Sequence, residues 1–167
     1  MIKVFNSLFV TMFGLGKVKI IPGTFGSLAT VIILYILFHP LDISPNLILF
    51  GLIIIFIYSF LAVASHIEKS KNKDPNEIII DEFIGQSIPI YLYEISHGTE
   101  KLPNEAIIYY AICFILFRFF DIQKPFPVSF FDKKYKNSFG VIMDDVCAGL
   151  YVVLSLICFI ILIGYFN

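Results

Sequence analysis

The sequence predicts an all-α protein that crosses a membrane several times. Of its 167 residues, 58% are hydrophobic and only 15% are charged, and its mean hydropathy is +0.87. This composition is more apolar than that of a water-soluble domain. Apolar runs recur along the chain between segments that carry Pro, Asn, Lys and Asp. We therefore expect a single domain, residues 1–167, with four or five membrane segments.

Five apolar runs are the candidate membrane segments: Phe25–Phe38, Leu47–Ser65, Ile78–Ile95, Ala106–Phe120 and Val146–Phe166. The second and fifth have the roughly 20 residues that a helix needs to span a bilayer, whereas the first and fourth are short. The third contains Asp81, Glu82 and Pro89, so it either spans the bilayer or re-enters it. Ahead of them, Val4–Phe13 is apolar at helical spacing and is interpreted as an interfacial helix.

The basic residues alternate between successive connections. They are Lys3, Lys17 and Lys19 before the first run, Lys69, Lys71 and Lys73 after the second, and Arg118, Lys124, Lys133, Lys134 and Lys136 between the fourth and fifth. Because cytoplasmic loops hold an excess of Lys and Arg, this pattern predicts a cytoplasmic N-terminus and an external C-terminus. The segments Gly14–Ser27, His66–Glu82 and Arg118–Asp145 then share the cytoplasmic face.

Acidic residues gather in two of these segments. The third segment carries Asp121, Asp132, Asp144 and Asp145, and an apolar run contains Asp81 and Glu82. Carboxylates at membrane depth are costly and usually functional. Asp144 and Asp145 are expected at the start of the last helix, where they either form a first-turn cap that the helix dipole favours, without chemistry, or belong to a site. The small residues Ala148 and Gly149 one turn later leave room for a ligand and favour the site. For Asp81 and Glu82, a metal ion is the simplest partner.

The types of the candidate ligands indicate which metal to expect. Carboxylates without a His or Cys cluster suit a hard cation such as Mg²⁺, which commonly bridges carboxylates to phosphate oxygens. The sequence therefore suggests phosphate chemistry. The net charge of −1 shows no basic excess, so no nucleic-acid partner is expected.

Two further features are candidates for phosphate binding. The stretch Pro22-Gly23-Thr24-Phe25-Gly26-Ser27 is either an ordinary turn or a helix start that Thr24 or Ser27 caps, with its amides facing phosphate. Arg118 and Lys124 lie close to Asp121 in the sequence. These cations either bind phosphate or serve only topology and snorkelling.

The motifs combine into a recognisable set. They are Pro22 to Ser27, Asp74-Pro75 with Glu77, Ile80-Asp81-Glu82 with Gly85-Gln86, Phe117-Arg118 to Ile122 with Lys124-Pro125, Pro127 and Asp132, then Phe139-Gly140-Val141 and Met143-Asp144-Asp145 to Gly149. This set resembles the phosphatidylglycerophosphatase A family, bacterial enzymes that dephosphorylate phosphatidylglycerophosphate to phosphatidylglycerol. Relatives tend to have Trp at the position of Phe126 and a Gly pair at Asn137-Ser138, neither of which is a proposed ligand.

The resemblance implies a Mg²⁺-dependent lipid phosphatase of the bacterial inner membrane, with its site facing the cytoplasm and a role in anionic phospholipid synthesis. The predicted catalytic residues are Asp81, Glu82, Asp121, Asp144 and Asp145. The predicted metal ligands are Glu82, Asp121, Asp144 and Asp145. The predicted substrate-binding residues are Thr24, Ser27, Arg118 and Lys124. The nucleophile, either a metal-activated water or an Asp, stays open, as does the oligomeric state.

Three other classes compete with this reading. A transporter or channel would spread its acids through the membrane depth, and Glu94 is the main residue that fits that pattern. A Mg²⁺-dependent headgroup phosphotransferase is expected to carry widely spaced Asp and Gly repeats on one helix, which the sequence does not show. A membrane scaffold without catalysis gives no reason for the acids.

Overall fold

The computed structural model describes residues 2–68, 76–97 and 103–166. In these ranges the chain forms seven α-helices and one short 3₁₀ turn, Leu15–Lys17, and no strand. The helices are α1 Ile2–Val10, α2 Pro22–Phe38, α3 Pro45–Ile67, α4 Ile80–His97, α5 Pro103–Gln123, α6 Val128–Lys134 and α7 Ser138–Phe166. The prediction of an all-α fold is confirmed.

Helices α3 and α7 are long and apolar enough to cross a membrane. Their most apolar windows have a mean hydropathy of 2.9, and only 22% of each window is buried inside the protein. A core helix of a water-soluble protein would instead bury most of such a surface. These two helices therefore fit association with a membrane, and α2 is a shorter apolar helix.

The helix starts differ from the predicted apolar runs in a consistent way. Pro22, Pro45 and Pro103 each occupy the first position of a helix, ahead of the first apolar residue of the corresponding run. Proline is favoured there because its missing N–H would lack an intrahelical partner anyway. The prolines therefore mark the true starts, which the apolar pattern alone places too late.

The last helix contradicts one expectation. Helix α7 begins at Ser138, so Asp144 and Asp145 lie about two turns inside it rather than in its first turn. The expectation that this pair lies in the first turn is wrong, because the helix already begins six residues before Asp144. The helix dipole at the N-terminus therefore does not account for them.

Helices α4 and α7 cross in backbone contact. A Cβ placed on Gly85 would overlap the carbonyl of Asp145 and come within 2.7 Å of the Phe117 ring, and a Cβ on Gly149 would overlap the carbonyl of Gly85. Small residues of this kind allow two apolar helices to approach closely. The crossing holds the start of α4, with Asp81 and Glu82, against Asp145.

The N-terminal helix α1 packs on α3 near the same end of the bundle. The rings of Phe9 and Tyr58 meet edge to face at 4.9 Å, and the Tyr58 hydroxyl donates a hydrogen bond of 2.6 Å to Asn6 Oδ1. The backbone N–H of Ile79 donates to the carbonyl of Val10 at 2.9 Å. These contacts tie α1 to the segment that enters α4.

Candidate active site

A pocket of about 380 Å³ lies where α2 and α4 begin and α5 ends, with α6 and the first half of α7 completing its wall. The predicted site residues that line it are Thr24, Asp81, Glu82, Arg118, Asp121, Lys124, Asp144 and Asp145. Ser27 is fully buried and lies behind this surface. Folding thus brings together side chains that are more than 100 residues apart in the sequence.

The pocket carries an excess of negative charge. Six carboxylates line it, those of Asp81, Glu82, Asp121, Asp132, Asp144 and Asp145. Among the described residues, three cations line it as well, Arg118, Lys124 and Lys136, so six carboxylates face three cations. Such an imbalance near buried groups is costly, and an added cation relieves it.

Asp81, Glu82 and Asp145 form a cluster in which one carboxylate oxygen from each lies within 4.8 Å of the others. Asp81 and Asp145 are only 8% and 3% exposed. Glu82 Oε2 is buried and has no hydrogen-bond partner among the residues that the structure describes. Three converging carboxylates with an unsatisfied oxygen have the chemistry that Mg²⁺ requires, so the residues present fit this metal.

The adjacent acids on α7 face different partners. Asp145 joins Asp81 and Glu82, whereas Asp144 Oδ2 accepts a hydrogen bond of 2.9 Å from Lys124 Nζ. Neighbouring residues of a helix point about 100° apart, so they cannot meet at one spot. The pair therefore serves two different parts of the same pocket.

Lys124 joins two carboxylates. Its Nζ donates to Asp132 Oδ1 at 2.8 Å as well as to Asp144. Burial lowers the pKa of Lys124, but the carboxylates of Asp144 and Asp132 outweigh it and raise that pKa above its ordinary value. The residue has a φ of 45°, a left-handed conformation that costs energy outside glycine and is often found at functional sites.

Arg118 pairs with Asp121 one turn later on α5. Its Nη1 lies 2.7 Å from Asp121 Oδ2 and 3.4 Å from Ser27 Oγ. Arg118 Nε is buried and has no hydrogen-bond partner in the described part of the chain. A Cβ on Gly23 would lie 3.2 Å from Arg118 Nη1 and would overlap Glu82 Oε1. Glycine at position 23 thus lets the start of α2 approach both groups.

The expected capping of α2 by Thr24 or Ser27 is wrong. Ile21, with a φ of 44°, is the N-cap and makes no side-chain cap bond. The Thr24 amide donates to the Ile21 carbonyl at 3.0 Å, and Ser27 Oγ donates to the Gly23 carbonyl at 2.9 Å. Because Pro22 already occupies the first position, Thr24 and Ser27 fall inside the helix, where a cap has no role.

Two residues of the pocket were not among the predicted site residues. Asp132 was named among the acids of its segment and among the family motifs but not as a site residue, and Lys136 was interpreted as a topological charge, yet both line the pocket. Outside the predicted site, His66 Nε2 lies 2.8 Å from Glu77 Oε1. Asp74 lies outside the described residues. The fold decides which of the several charged residues in the loops pair with one another. The one signal in the sequence for the Lys124–Asp132 pair is that the two residues are only eight positions apart.

An apolar helical bundle with carboxylates and cations gathered in one terminal pocket has the layout of a membrane protein that acts on a charged headgroup. The family model described as phosphatidylglycerophosphatase A matches residues 8–160. The chain therefore belongs to the phosphatidylglycerophosphatase A family, as its motifs suggested.

Curated relatives agree with this family. A phosphatidylglycerophosphatase A of Haemophilus influenzae is 35% identical over 142 residues, which cover 85% of this chain and 80% of the relative. One of Escherichia coli is 32% identical and covers 83% of this chain and 73% of the relative. A Bacteroides thetaiotaomicron protein whose name proposes a phosphatidylinositol-3-phosphatase is 34% identical, with 84% of each chain covered. No solved structure matches this chain.

Proposed function

We propose that this protein is a phosphatidylglycerophosphatase, which hydrolyses the terminal phosphate monoester of phosphatidylglycerophosphate to give phosphatidylglycerol and inorganic phosphate. One observation carries the proposal: within the described part of the chain, the pocket of this family member holds both a carboxylate cluster without a close cation and an Arg118 Nε without a hydrogen-bond partner. A phosphate monoester needs positive charge around it. The carboxylate cluster can hold a metal ion, and the guanidinium of Arg118 supplies a positive charge of its own.

We propose that Mg²⁺ binds at Asp81, Glu82 and Asp145. This set differs from the sequence prediction in two ways. Asp121 and Asp144 each have a cation within 2.9 Å and are left out. Asp81 is included because it belongs to the carboxylate cluster, which has no salt-bridge partner among the residues that the structure describes. When bound, Mg²⁺ would neutralise charge on the phosphate and lower the pKa of a coordinated water. Without a cation, the excess of carboxylates would repel a phosphate dianion.

The residues of the chain then divide the work of binding and positioning. Arg118 Nε donates to a phosphate oxygen, while Asp121 and Ser27 hold the guanidinium in place through Nη1. Lys124 is held between Asp132 and Asp144 and brings a second positive charge to the pocket. Charge stabilisation and in-line positioning are the main requirements of phosphoryl transfer. In the direct route water attacks phosphorus, the bond from phosphorus to the lipid oxygen breaks, and that oxygen takes up a proton so that the lipid leaves as an alcohol. In the covalent route an Asp attacks first, and water then hydrolyses the aspartyl-phosphate to release inorganic phosphate.

We propose that the five longer helices α2, α3, α4, α5 and α7 are membrane segments and that α1 lies at the interface. The helix ends support this arrangement, since α2, α4 and α7 begin and α5 ends at the pocket. Ile67 at the end of α3 belongs to the same core cluster as Ile78 and Ile80 at the start of α4. The lysines of the connecting segments support a cytoplasmic location for that side. Cysteines introduced at Lys133 and at Leu41 in a cysteine-free variant test it: an impermeant maleimide should label only the second in intact cells.

Phosphate release from phosphatidylglycerophosphate by the detergent-purified protein tests the activity. We expect release with Mg²⁺, none with EDTA, and none by Asp145→Asn with Mg²⁺. Asparagine keeps the shape of the side chain but removes its charge, so the melting temperature of the variant serves as its folding control. No release by a well-folded wild type in Mg²⁺ would overturn the proposal.

The headgroup is a second question for the same assay. The relative whose name proposes a phosphatidylinositol-3-phosphatase makes phosphatidylinositol 3-phosphate the comparison substrate. Both lipids present a phosphate monoester on a headgroup alcohol, so the charge chemistry is shared. We expect a higher kcat/KM for phosphatidylglycerophosphate, and the reverse order would assign this chain to the inositol lipid.

A further inference from the structure

An apolar groove of about 370 Å³ runs between α3 and α4 and reaches α7 at Val146. Nine of its ten lining residues are aliphatic or aromatic, and the tenth is Ser87. The Ser87 hydroxyl already donates a hydrogen bond of 2.6 Å to the Phe83 carbonyl. The groove therefore suits an apolar ligand.

The groove begins beside the carboxylate cluster. Val146 directly follows Asp145, and Ile84 lies one helical turn after Asp81 on α4. Asp81, Ile84, Ile88 and Tyr91 are three or four residues apart, which puts them on one face of that helix. One continuous stripe of α4 thus leads from the acidic pocket into the groove.

Its length fits one leaflet of a bilayer. The α4 wall extends from Ile84 to Leu92, a distance of about 12 Å at the rise of an α-helix. Half of a hydrocarbon core is about 15 Å. The α3 wall belongs to one of the two helices that are apolar enough to cross a membrane, so the groove runs along the direction of lipid tails.

A second apolar groove provides a contrast. It has a volume of about 440 Å³ and lies between α4, α5 and the second half of α7. On α4 it starts at Pro89, eight residues beyond Asp81, and none of its lining residues adjoins the carboxylate cluster. The two grooves are similar in size and chemistry, so only the first is placed to receive a chain attached to a headgroup in the pocket.

We propose that the groove between α3 and α4 holds one acyl chain of the phospholipid substrate while its headgroup lies in the acidic pocket. This inference rests on the proposed function. A lipid tail gains little hydrophobic energy on leaving other tails for a protein groove, so the benefit is van der Waals fit and a fixed approach of the phosphate. The groove therefore orients substrates that have long acyl chains.

A pair of tryptophan variants tests the proposal. Ile53 lines the first groove and Ile157 the second, and they are similarly exposed, at 46% and 47%. We would measure kcat/KM of Ile53→Trp and Ile157→Trp on dioleoyl and on dihexanoyl phosphatidylglycerophosphate in the same detergent. Ile53→Trp should lose activity severalfold on the dioleoyl substrate and keep it on the dihexanoyl one, because an oleoyl chain extends along the whole groove whereas a six-carbon chain makes few contacts with it.

Each other outcome overturns the inference. If Ile53→Trp changes neither substrate, the groove holds no substrate chain. If both substrates fall equally, the substitution damages the site rather than the groove, and if Ile157→Trp has the same chain-length effect, ordinary detergent or lipid contact explains it. Activity of the wild type on the dihexanoyl substrate reports separately on the proposed function, because that measurement does not depend on the groove.

Discussion

The two ends of the helical bundle both bury carboxylates but surround them differently. At the pocket end, Asp81, Glu82 and Asp145 converge within 4.8 Å. At the other end of α4, about 20 Å away at the helical rise, Glu94 accepts a hydrogen bond of 3.1 Å from Tyr110 and lies 3.5 Å from His39. One end gathers like charges beside a cavity, and the other packs one acid among neutral or titratable donors.

The difference separates a binding site from a structural network. A buried acid with donors around it is satisfied within the protein and helps to hold helices together. Crowded acids raise the energy of the protein unless something from outside balances them. A buried carboxylate at membrane depth therefore belongs either to a binding site or to a structural network, and its immediate partners show which.

Removing one acid of the cluster should give the largest effect. Glu82→Gln is expected to lower kcat/KM roughly 10³-fold, since metal stabilisation of phosphoryl charge is worth several kcal/mol. Mg²⁺ should raise the melting temperature of the wild type by mass action but not that of Glu82→Gln. Asp121→Asn is the matched comparison, because its partner is Arg118. It should keep the Mg²⁺ shift, and loss of the shift there would return Asp121 to the ligand set.

Removing the bridging cation should have the next largest effect. Lys124→Met is expected to lower kcat/KM about 10²-fold, the usual loss for one charged donor in a site, and to leave Asp132 and Asp144 without their shared partner. Lys133→Met changes an exposed lysine of α6 and is the control, with activity unchanged. Equal losses in both variants would mean that general surface charge, and not Lys124, serves the reaction.

Asp132 is expected to act through Lys124 as a positioning residue. Asp132→Asn should lower kcat/KM about tenfold, the lower end for a residue that orients a ligand-binding group. The loss should fall mainly on KM, because a misplaced Lys124 weakens binding of the anionic headgroup. Asp132→Glu should recover part of the activity by restoring the carboxylate, and failure of that rescue would assign Asp132 a purely structural role.

The fold was predictable because its main signal is local. Apolar runs mark each long helix from the chemistry of their own residues. The starts at Pro45 and Pro103 were missed, since the apolar pattern ignores the preference of proline for the first helical position. The continuation of α7 back to Ser138 was missed because acids interrupt the apolar pattern without ending the helix.

Most residues that line the candidate pocket were predictable from the sequence, but their pairings were not. Residue types and order pointed to the acids and cations of the cytoplasmic segments. The partition that leaves Asp145 in the cluster and gives Asp144 to Lys124 depends on the rotation of α7 and on the close crossing at Gly85. These are tertiary properties. The left-handed conformation of Lys124 likewise has no signal in its own residue type.

The smallest effect on activity is expected at the opposite end. Glu94→Ala should lower the free energy of unfolding by about 1–3 kcal/mol, because it leaves the buried Tyr110 hydroxyl without its acceptor. It should leave kcat/KM of the folded protein within about twofold, since Glu94 is far from the pocket on α4. Glu94→Gln retains an acceptor oxygen and should restore the melting temperature. Loss of activity in well-folded Glu94→Gln would show that the two ends are coupled and would favour a path of acids through the membrane.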